Sequence, residues 1–168
     1  MIDIETFENE IINVLKADSE TVSAHPEITK SDLKMSVLEI LKGVATVGSY
    51  QGNINEILSE DIIPLPAALV IYGGARDENV KAREGARGKI DVSFSVFVVG
   101  QNLSGGSDAS SDVRKMLKAA RTVLNGLIYR EGTIERTLLW AAESLEMISN
   151  TGVCAYEQTY QYKDFLIT

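Results

Sequence analysis

The stretch Lys89–Val99, KIDVSFSVFVV, decides which kind of core this chain builds. Ile90, Val92, Phe94, Val96 and Val98 alternate with Asp91, Ser93 and Ser95, so one face of a strand is apolar and the other polar. At Phe97 and Val99 the second face turns apolar as well. Upstream, Pro66 opens another apolar strand, Ala67–Tyr72, whose β-branched content suits a buried position. Downstream, Tyr156, Gln158, Tyr160 and Tyr162 share one face of a last strand, opposite Ala155, Glu157 and Thr159. The segment 137–148 fits a helical period through Leu138, Ala141, Ala142 and Leu145. Asn150-Thr151-Gly152 then gives a turn signal before the last strand, which favours strand for 137–148. Val44–Tyr50 is a short strand candidate followed by a Gln51-Gly52 turn.

Helices flank these strands. The longest is expected over 110–126, with Val113, Met116, Leu117, Ala120, Val123 and Leu124 in one stripe and Arg114, Lys115, Lys118 and Arg121 opposite; Gly126 fits its end. An N-terminal helix is capped by Asp3 and carries Ile4, Phe7, Ile11, Val14 and Leu15 on its inner face, with Ile2 and Phe7 placed as a hydrophobic staple. Residues 18–30 read as a loop. A second helical pattern runs from Ser31 through Leu33, Val37, Leu38 and Leu41 and stops at Gly43, and Asn53-x-x-Glu56 resembles a capping box. No repeat of 20–50 residues appears. The expectation is one α+β domain over 1–168, a mainly antiparallel sheet with helices packed on one face.

Composition removes several function classes. The 168 residues are 45% hydrophobic and 24% charged, with a net charge of -8 that opposes sequence-independent grip on nucleic acid or anionic lipid. One cysteine, Cys154, excludes an intrachain disulfide, and one histidine, His25, excludes His-rich metal centres. The longest apolar run, Ile62–Tyr72, is broken by Pro64 and Pro66 and falls short of the ~20 residues that span a bilayer. The acidic start, Met1-Ile2-Asp3-Ile4-Glu5, is unlike a secretory signal, so a soluble protein of a reducing compartment is expected. Residues 1–63 hold 12 acidic and 4 basic side chains and so carry the whole imbalance; residues 64–168 hold 12 of each.

Four features bear on function. Gly73–Gly88, GGARDENVKAREGARG, joins two strong strands and reads as a long hairpin loop: either a solvated polar connection or an arm that orders against a partner. Its interleaved Asp77, Glu78 and Glu84, and its lack of aromatics, speak against nucleic acid. Leu103–Asp112, LSGGSDASSD, has the setting of a phosphate loop, but no GK[ST] follows and Asp108 and Asp112 would repel phosphate, so it reads as a capped helix start. Cys154 reads as a small buried residue, since its only imidazole partner, His25, is far away in sequence. The tyrosine stripe of the last strand, Tyr156, Tyr160 and Tyr162, is open to two readings, sheet packing or a subunit interface.

One segment carries a resemblance. Val44–Gly74, VATVGSYQGNINEILSEDIIPLPAALVIYGG, resembles the Mu-like prophage tail terminator family in Tyr50-Gln51-Gly52, the short acidic stretch Ile54–Asp61, Pro66-Ala67 and Gly73-Gly74. The order of N-terminal helix, long hairpin, helix and tyrosine-bearing final strand is also similar. The resemblance implies a non-enzymatic, cofactor-free structural subunit that forms a six-fold ring on the completed tail tube. It implies a contractile-tail particle in which the ring stops tube and sheath polymerisation and offers the head a joining surface. The implied partners are further copies of the chain and the tube, sheath and neck proteins. Assembly would take place in host cytoplasm, with the virion tail as destination and no membrane involved. Arg76, Lys81, Arg83, Arg87 and Lys89 are the expected partner-binding residues, pairing with acidic groups of tube or neck. Two alternatives stand beside this: a neck or head–tail completion protein, and, from a different class, a small nucleotide-binding protein using the 103–112 loop.

Overall fold

The computed structural model describes residues 2–30, 35–51, 63–77, 89–101, 107–148 and 152–165. Helix α1, Ile4–Leu15, forms as its pattern dictates: Asp3 caps it by accepting from Glu5 N at 3.1 Å and Thr6 Oγ1 at 2.8 Å, and Phe7, Ile11, Val14 and Leu15 are buried. The expected loop at 18–30 is instead two short helices, α2 (Ser19–Ala24) and α3 (Pro26–Lys30). Ser, Thr and Pro are weak formers inside a helix but good at its start. Here Asp18 caps α2 through Thr21 N at 2.9 Å, and Pro26 begins α3. Helix α4 is Met35–Lys42, and Gly43 ends it by donating to Glu39 O and Ile40 O. The Ser31 start and the Asn53–Glu56 capping box lie outside the described residues.

Five strands make the main sheet in the order β1-β2-β3-β7-β6: β1 Thr46–Ser49, β2 Ala67–Asp77, β3 Lys89–Gln101, β6 Leu139–Ile148 and β7 Val153–Phe165. β1 runs parallel to β2 and every other pairing is antiparallel. The fold is therefore α+β with a mainly antiparallel sheet, as the alternation in β3 predicts. Of the segment 137–148, Leu139–Ile148 is strand as expected, while Thr137 belongs to a separate short strand and Leu138 to neither. β2 continues past Tyr72 to Asp77 through a bulge at Gly74, φ +103°, so Gly73–Asp77 are strand and not loop.

The long helix, α5, runs Ser107–Leu124, and Gly126 follows with φ +92°. Between it and β6 lies a hairpin that the sequence reading did not separate, β4 Ile128–Glu131 and β5 Ile134–Thr137, turning at Gly132.

α1 lies over β1 and β2, and α5 over β3, β7 and β6, so the two helices divide one face of the sheet. Phe7 sits at the centre of the core beneath them, with ring centroids 4.5 Å from Tyr129, 5.0 Å from Tyr162 and 5.4 Å from Phe94. On the other face a smaller apolar cluster forms where β3 turns apolar on both sides: Ala67, Leu69, Phe97, Val99, Val153 and Ala155, against Tyr50, Ile63, Leu65 and Ile71. Gly100 lets α5 approach, because a Cβ there would overlap Val113 Cγ2.

Candidate interaction surface

β6 is an edge strand of unusual character. Each residue from Leu139 to Glu146 is exposed, and the large apolar side chains Leu139, Trp140 and Leu145 are 55%, 37% and 48% exposed. No described strand pairs with its outer side. Two register shifts, between Trp140 and Ala142 and between Leu145 and Met147, bend the strand, and Glu143 and Glu146 place charge along it. Bulges and charges are devices that stop strand addition at an edge. What β6 offers is therefore a side-chain surface rather than a template for another strand.

Register sets the two sides of that surface. Trp140 and Leu145 oppose Tyr160 and Tyr156 on the helix side of the sheet, whereas Leu139 opposes Gln161 on the other side. The Trp140 ring lies 5.2 Å from Arg121 Cζ, which joins β6 to the basic face of α5, and Asn125 Oδ1 accepts from Trp140 N at 2.9 Å. A cavity of about 550 Å³ opens beside Leu139 and Trp140, lined also by Asp91, Glu135, Arg136 and Lys163.

The elements behind this edge are held by buried polar bonds. Gln158, fully buried, donates to Leu117 O at 2.9 Å and to Glu143 Oε2 at 2.7 Å and accepts from Tyr160 OH at 2.8 Å. These bonds tie β7 to α5 and β6. Asp164 is buried and takes Arg136 Nη2 at 2.7 Å and Nε at 3.1 Å, while Ile2 N donates to its other oxygen at 3.1 Å. That pairing fixes the β4–β5 hairpin and the chain's start to β7. Neither bond set was legible in the sequence, because each joins residues far apart along the chain.

The residues singled out from sequence separate on inspection. Arg76 is exposed on β2, opposite Asp91, and Lys89 is exposed at the start of β3, opposite Phe165. Lys81, Arg83 and Arg87 lie outside the described residues. The tyrosine stripe is core in this chain: Tyr160 and Tyr162 are 0% and 2% exposed, and Tyr156 packs partly buried against the same cluster. Burial pushes both phenols of the buried pair well above their ordinary range. Tyr160 and Tyr162 are thus corrected from interface to packing, since no neighbouring subunit can reach side chains already covered by α1, α5 and the hairpin.

His25 is buried with Nε2 2.6 Å from Glu10 Oε1 and Nδ1 2.8 Å from Glu27 Oε1, and Glu27 also accepts from Ile128 N at 3.0 Å. This cluster joins α1, α3 and β4. Cys154 sits in β7, half-buried, with its thiol pushed up by desolvation, which leaves it poor in thiolate. A cavity of about 210 Å³ near the first turns of α5 is lined, among the described residues, by Leu65, Pro66, Gly100, Gln101, Asp112, Val113 and Met116; the Asp112 carboxylate suits phosphate badly. Among the described residues no group of three His, Cys, Asp or Glu could hold a metal ion, and no helix is long and apolar enough to cross a membrane.

Comparison with known proteins bears on this surface. Residues 33–162 match the family Bacteriophage Mu, Gp37. The chain belongs to the bacteriophage Mu Gp37 family. Membership makes it a phage structural protein and agrees with the resemblance carried by Val44–Gly74. No curated protein matches the chain. Among solved structures, a virion of a native gene transfer agent particle matches at 9% identity over 83% of this chain and 92% of that one, with a TM-score of 0.46. In this Gp37 family member the matched region holds β1 to β6, α5 and most of β7, and so includes the whole exposed edge.

Proposed function

We propose that this Mu Gp37 family protein is a tail terminator. It would form a homo-hexameric ring on the completed tail tube, stop further addition of tube and sheath subunits, and provide the surface to which the head joins. The observation that carries the reading, beside the family, is the β6 edge with its exposed Leu139, Trp140 and Leu145. Apolar side chains of that size, gathered on one edge, mark a contact surface rather than a reaction site. On this reading the chain is no enzyme and takes no cofactor; its partners are its own copies and the tube, sheath and neck proteins. It assembles in host cytoplasm and ends in the virion tail.

The physical logic is short. A tube grows because each added ring exposes the same docking surface that received it. A terminator matches that surface on one side and does not repeat it on the other. The ring needs a heterologous interface, two different patches of one chain, so that the contact closes on itself. Arg76 and Lys89, exposed where β2 and β3 lead into residues 78–88, are the described part of the basic group assigned to tube or neck contact.

Electron microscopy of tails assembled with the gene deleted tests the reading. Overlong, irregular tails without heads are expected. Tails of normal length without heads would move the function to the neck, and normal infectious particles would remove it.

A further inference from the structure

His25 ends α2, stands just before Pro26 at the start of α3, and is 4% exposed. Its ring meets a carboxylate at each nitrogen: Glu10 Oε1 of α1 lies 2.6 Å from Nε2, and Glu27 Oε1 of α3 lies 2.8 Å from Nδ1. A neutral imidazole has one N–H and one lone pair, so it can donate to only one of the two and turns a lone pair toward the other. Both distances are short enough for charge-assisted bonds. Glu27 fixes the first proton. Its Oε1 also accepts from Ile128 N at 3.0 Å, and its carboxyl is held below the ordinary range in spite of burial, so it is an acceptor and Nδ1 the donor. Glu10 fixes the second, because a proton shared between a carboxyl and an imidazole rests on the imidazole, the stronger base. Nε2 therefore donates as well. From β4, Arg130 Nη1 stands 3.7 Å from Glu27 Oε2 and is itself held by Glu135 of β5, whose Oε1 is 2.9 Å from Arg130 Nε. Tyr129, also on β4, adds no charge, since burial first and then nearby carboxylates, Glu10 among them, push its phenol up. Among the described residues neither α2 nor α5, which packs on α3, gives Glu10 or Glu27 an ion pair.

We propose that His25 is a proton-operated clasp: with both ring nitrogens protonated it holds α2 and α3 onto α1 and β4, and loss of one proton opens it. With one proton gone, a lone pair and a carboxylate oxygen face each other at hydrogen-bond distance in a buried place, and one of the two contacts must part. The segment it holds has little stability of its own, because α2 and α3 are six and five residues long and helices so short do not persist alone. Through Glu27 and Ile128 N the same clasp reaches the first residue of the β4–β5 hairpin. Its contribution to stability is present while the ring is doubly protonated and is lost as pH rises. Acid opens it from the other side, by protonating the carboxylates. The clasp is thus closed within a window of pH and open on both flanks.

The chain has one histidine, so its ring nitrogens give a single set of signals. The full chain labelled with nitrogen-15 histidine is followed by long-range proton–nitrogen NMR from pH 6 to 8.5, with urea unfolding over the same range. At pH 7 the wild type is expected to show both ring nitrogens protonated. Between pH 6 and 8.5 its unfolding equilibrium constant is expected to rise about tenfold, the size of one lost charge-assisted bond. Amide protection, corrected for intrinsic exchange, should fall at Val22 and Ile28 over that range and hold at Val96 in β3. Glu10→Gln gives Nε2 a neutral partner that can itself donate, so at pH 7 that variant should show one bare ring nitrogen and a flatter alkaline fall. His25→Gln should abolish the fall; if it does not fold, Glu10→Gln still decides, since the Glu10 side chain is 29% exposed and its loss leaves the core intact. A wild-type ring with one bare nitrogen at pH 7 overturns the proposal. So does a wild type whose stability is level from pH 6 to 8.5, or a Glu10→Gln variant that falls as steeply as the wild type. None of these results depends on the terminator reading, which tail length decides.

Discussion

Tyr160 and Tyr162 lie two residues apart on the same face of β7, both buried, and differ in one bond. Tyr160 OH donates to Gln158 Oε1 at 2.8 Å, whereas Tyr162 OH, also buried, has no hydrogen-bond partner among the described residues. A buried hydroxyl without a partner is destabilising, and one whose loss orphans another polar atom is stabilising. Tyr162→Phe is therefore expected to stabilise the fold by about 1 kcal/mol, a rise of roughly 2–4 °C in Tm at this chain length. Tyr160→Phe should destabilise it by about 1–3 kcal/mol, since Gln158 Oε1 loses its donor. Thermal melts of both variants check the pair, and equal shifts of the same sign would contradict the bonding described. Glu27 provides the pH dependence. Burial alone would raise its carboxyl, but bonds from its own and Ile128's backbone N–H groups and from His25 outweigh that and hold it below its ordinary 4.5. A folded value below the unfolded one means that Glu27 contributes stability above pH 4.5, and that this contribution is lost as pH falls through the lower folded value. Urea midpoints between pH 6 and 3 should fall less steeply in Glu27→Gln than in the wild type. Asp3 and Asp18, both lowered by cap bonds at α1 and α2, leave a residual slope in each. Parallel slopes in the two proteins would take Glu27 out of the account.

At the scale of elements, the contact between α5 and β3 depends on Gly100. With a Cβ there, Val113 must move, and Val113 is buried and β-branched, with little freedom to do so. Gly100→Ala is expected to destabilise by about 1–3 kcal/mol through overpacking. Adding Val113→Ala should recover part of that loss, so the double variant is more stable than the sum of the single changes requires. Strict additivity in chemical denaturation would show that the two do not touch. The elements differ in how legible they were. β3 and α5 were plain because their periods of two and 3.6 run over many residues. β4 and β5 were missed because four residues each are too few to show alternation, and α2 and α3 because their Ser, Thr and Pro content reads as loop. The tyrosine stripe illustrates the harder limit. Alternation places Tyr156, Tyr160 and Tyr162 on one face, but only the fold says that α1, α5 and the β4–β5 hairpin already cover Tyr160 and Tyr162. The β6 edge was legible as a strand and illegible as a surface, since Leu139 and Leu145 look like core residues until the sheet is seen to end there.

For the molecule as a whole, the proposed function asks that docking surfaces be kept separate from what stabilises the fold. On the proposed reading, reversing charge at Arg76, Arg83 and Arg87 together should weaken tail capping and leave the fold intact; for Arg76, which is exposed on β2, the change in stability should stay within about 0.5 kcal/mol. Tail binding by the variant, measured by pelleting with purified tails, checks this; a folded triple variant that still caps would release the segment from that role. The order of the strands has a separate consequence. β7 follows every other strand in the sequence but lies between β3 and β6 in space. While a ribosome is still making the chain, everything before Val153 can emerge without the strand that links β6 to the rest, and β6 then has no sheet to join. Native Trp140 and Arg121 come together only after that late insertion has placed β6 beside α5. A nascent chain therefore cannot complete the β6 edge before β7 has been synthesised.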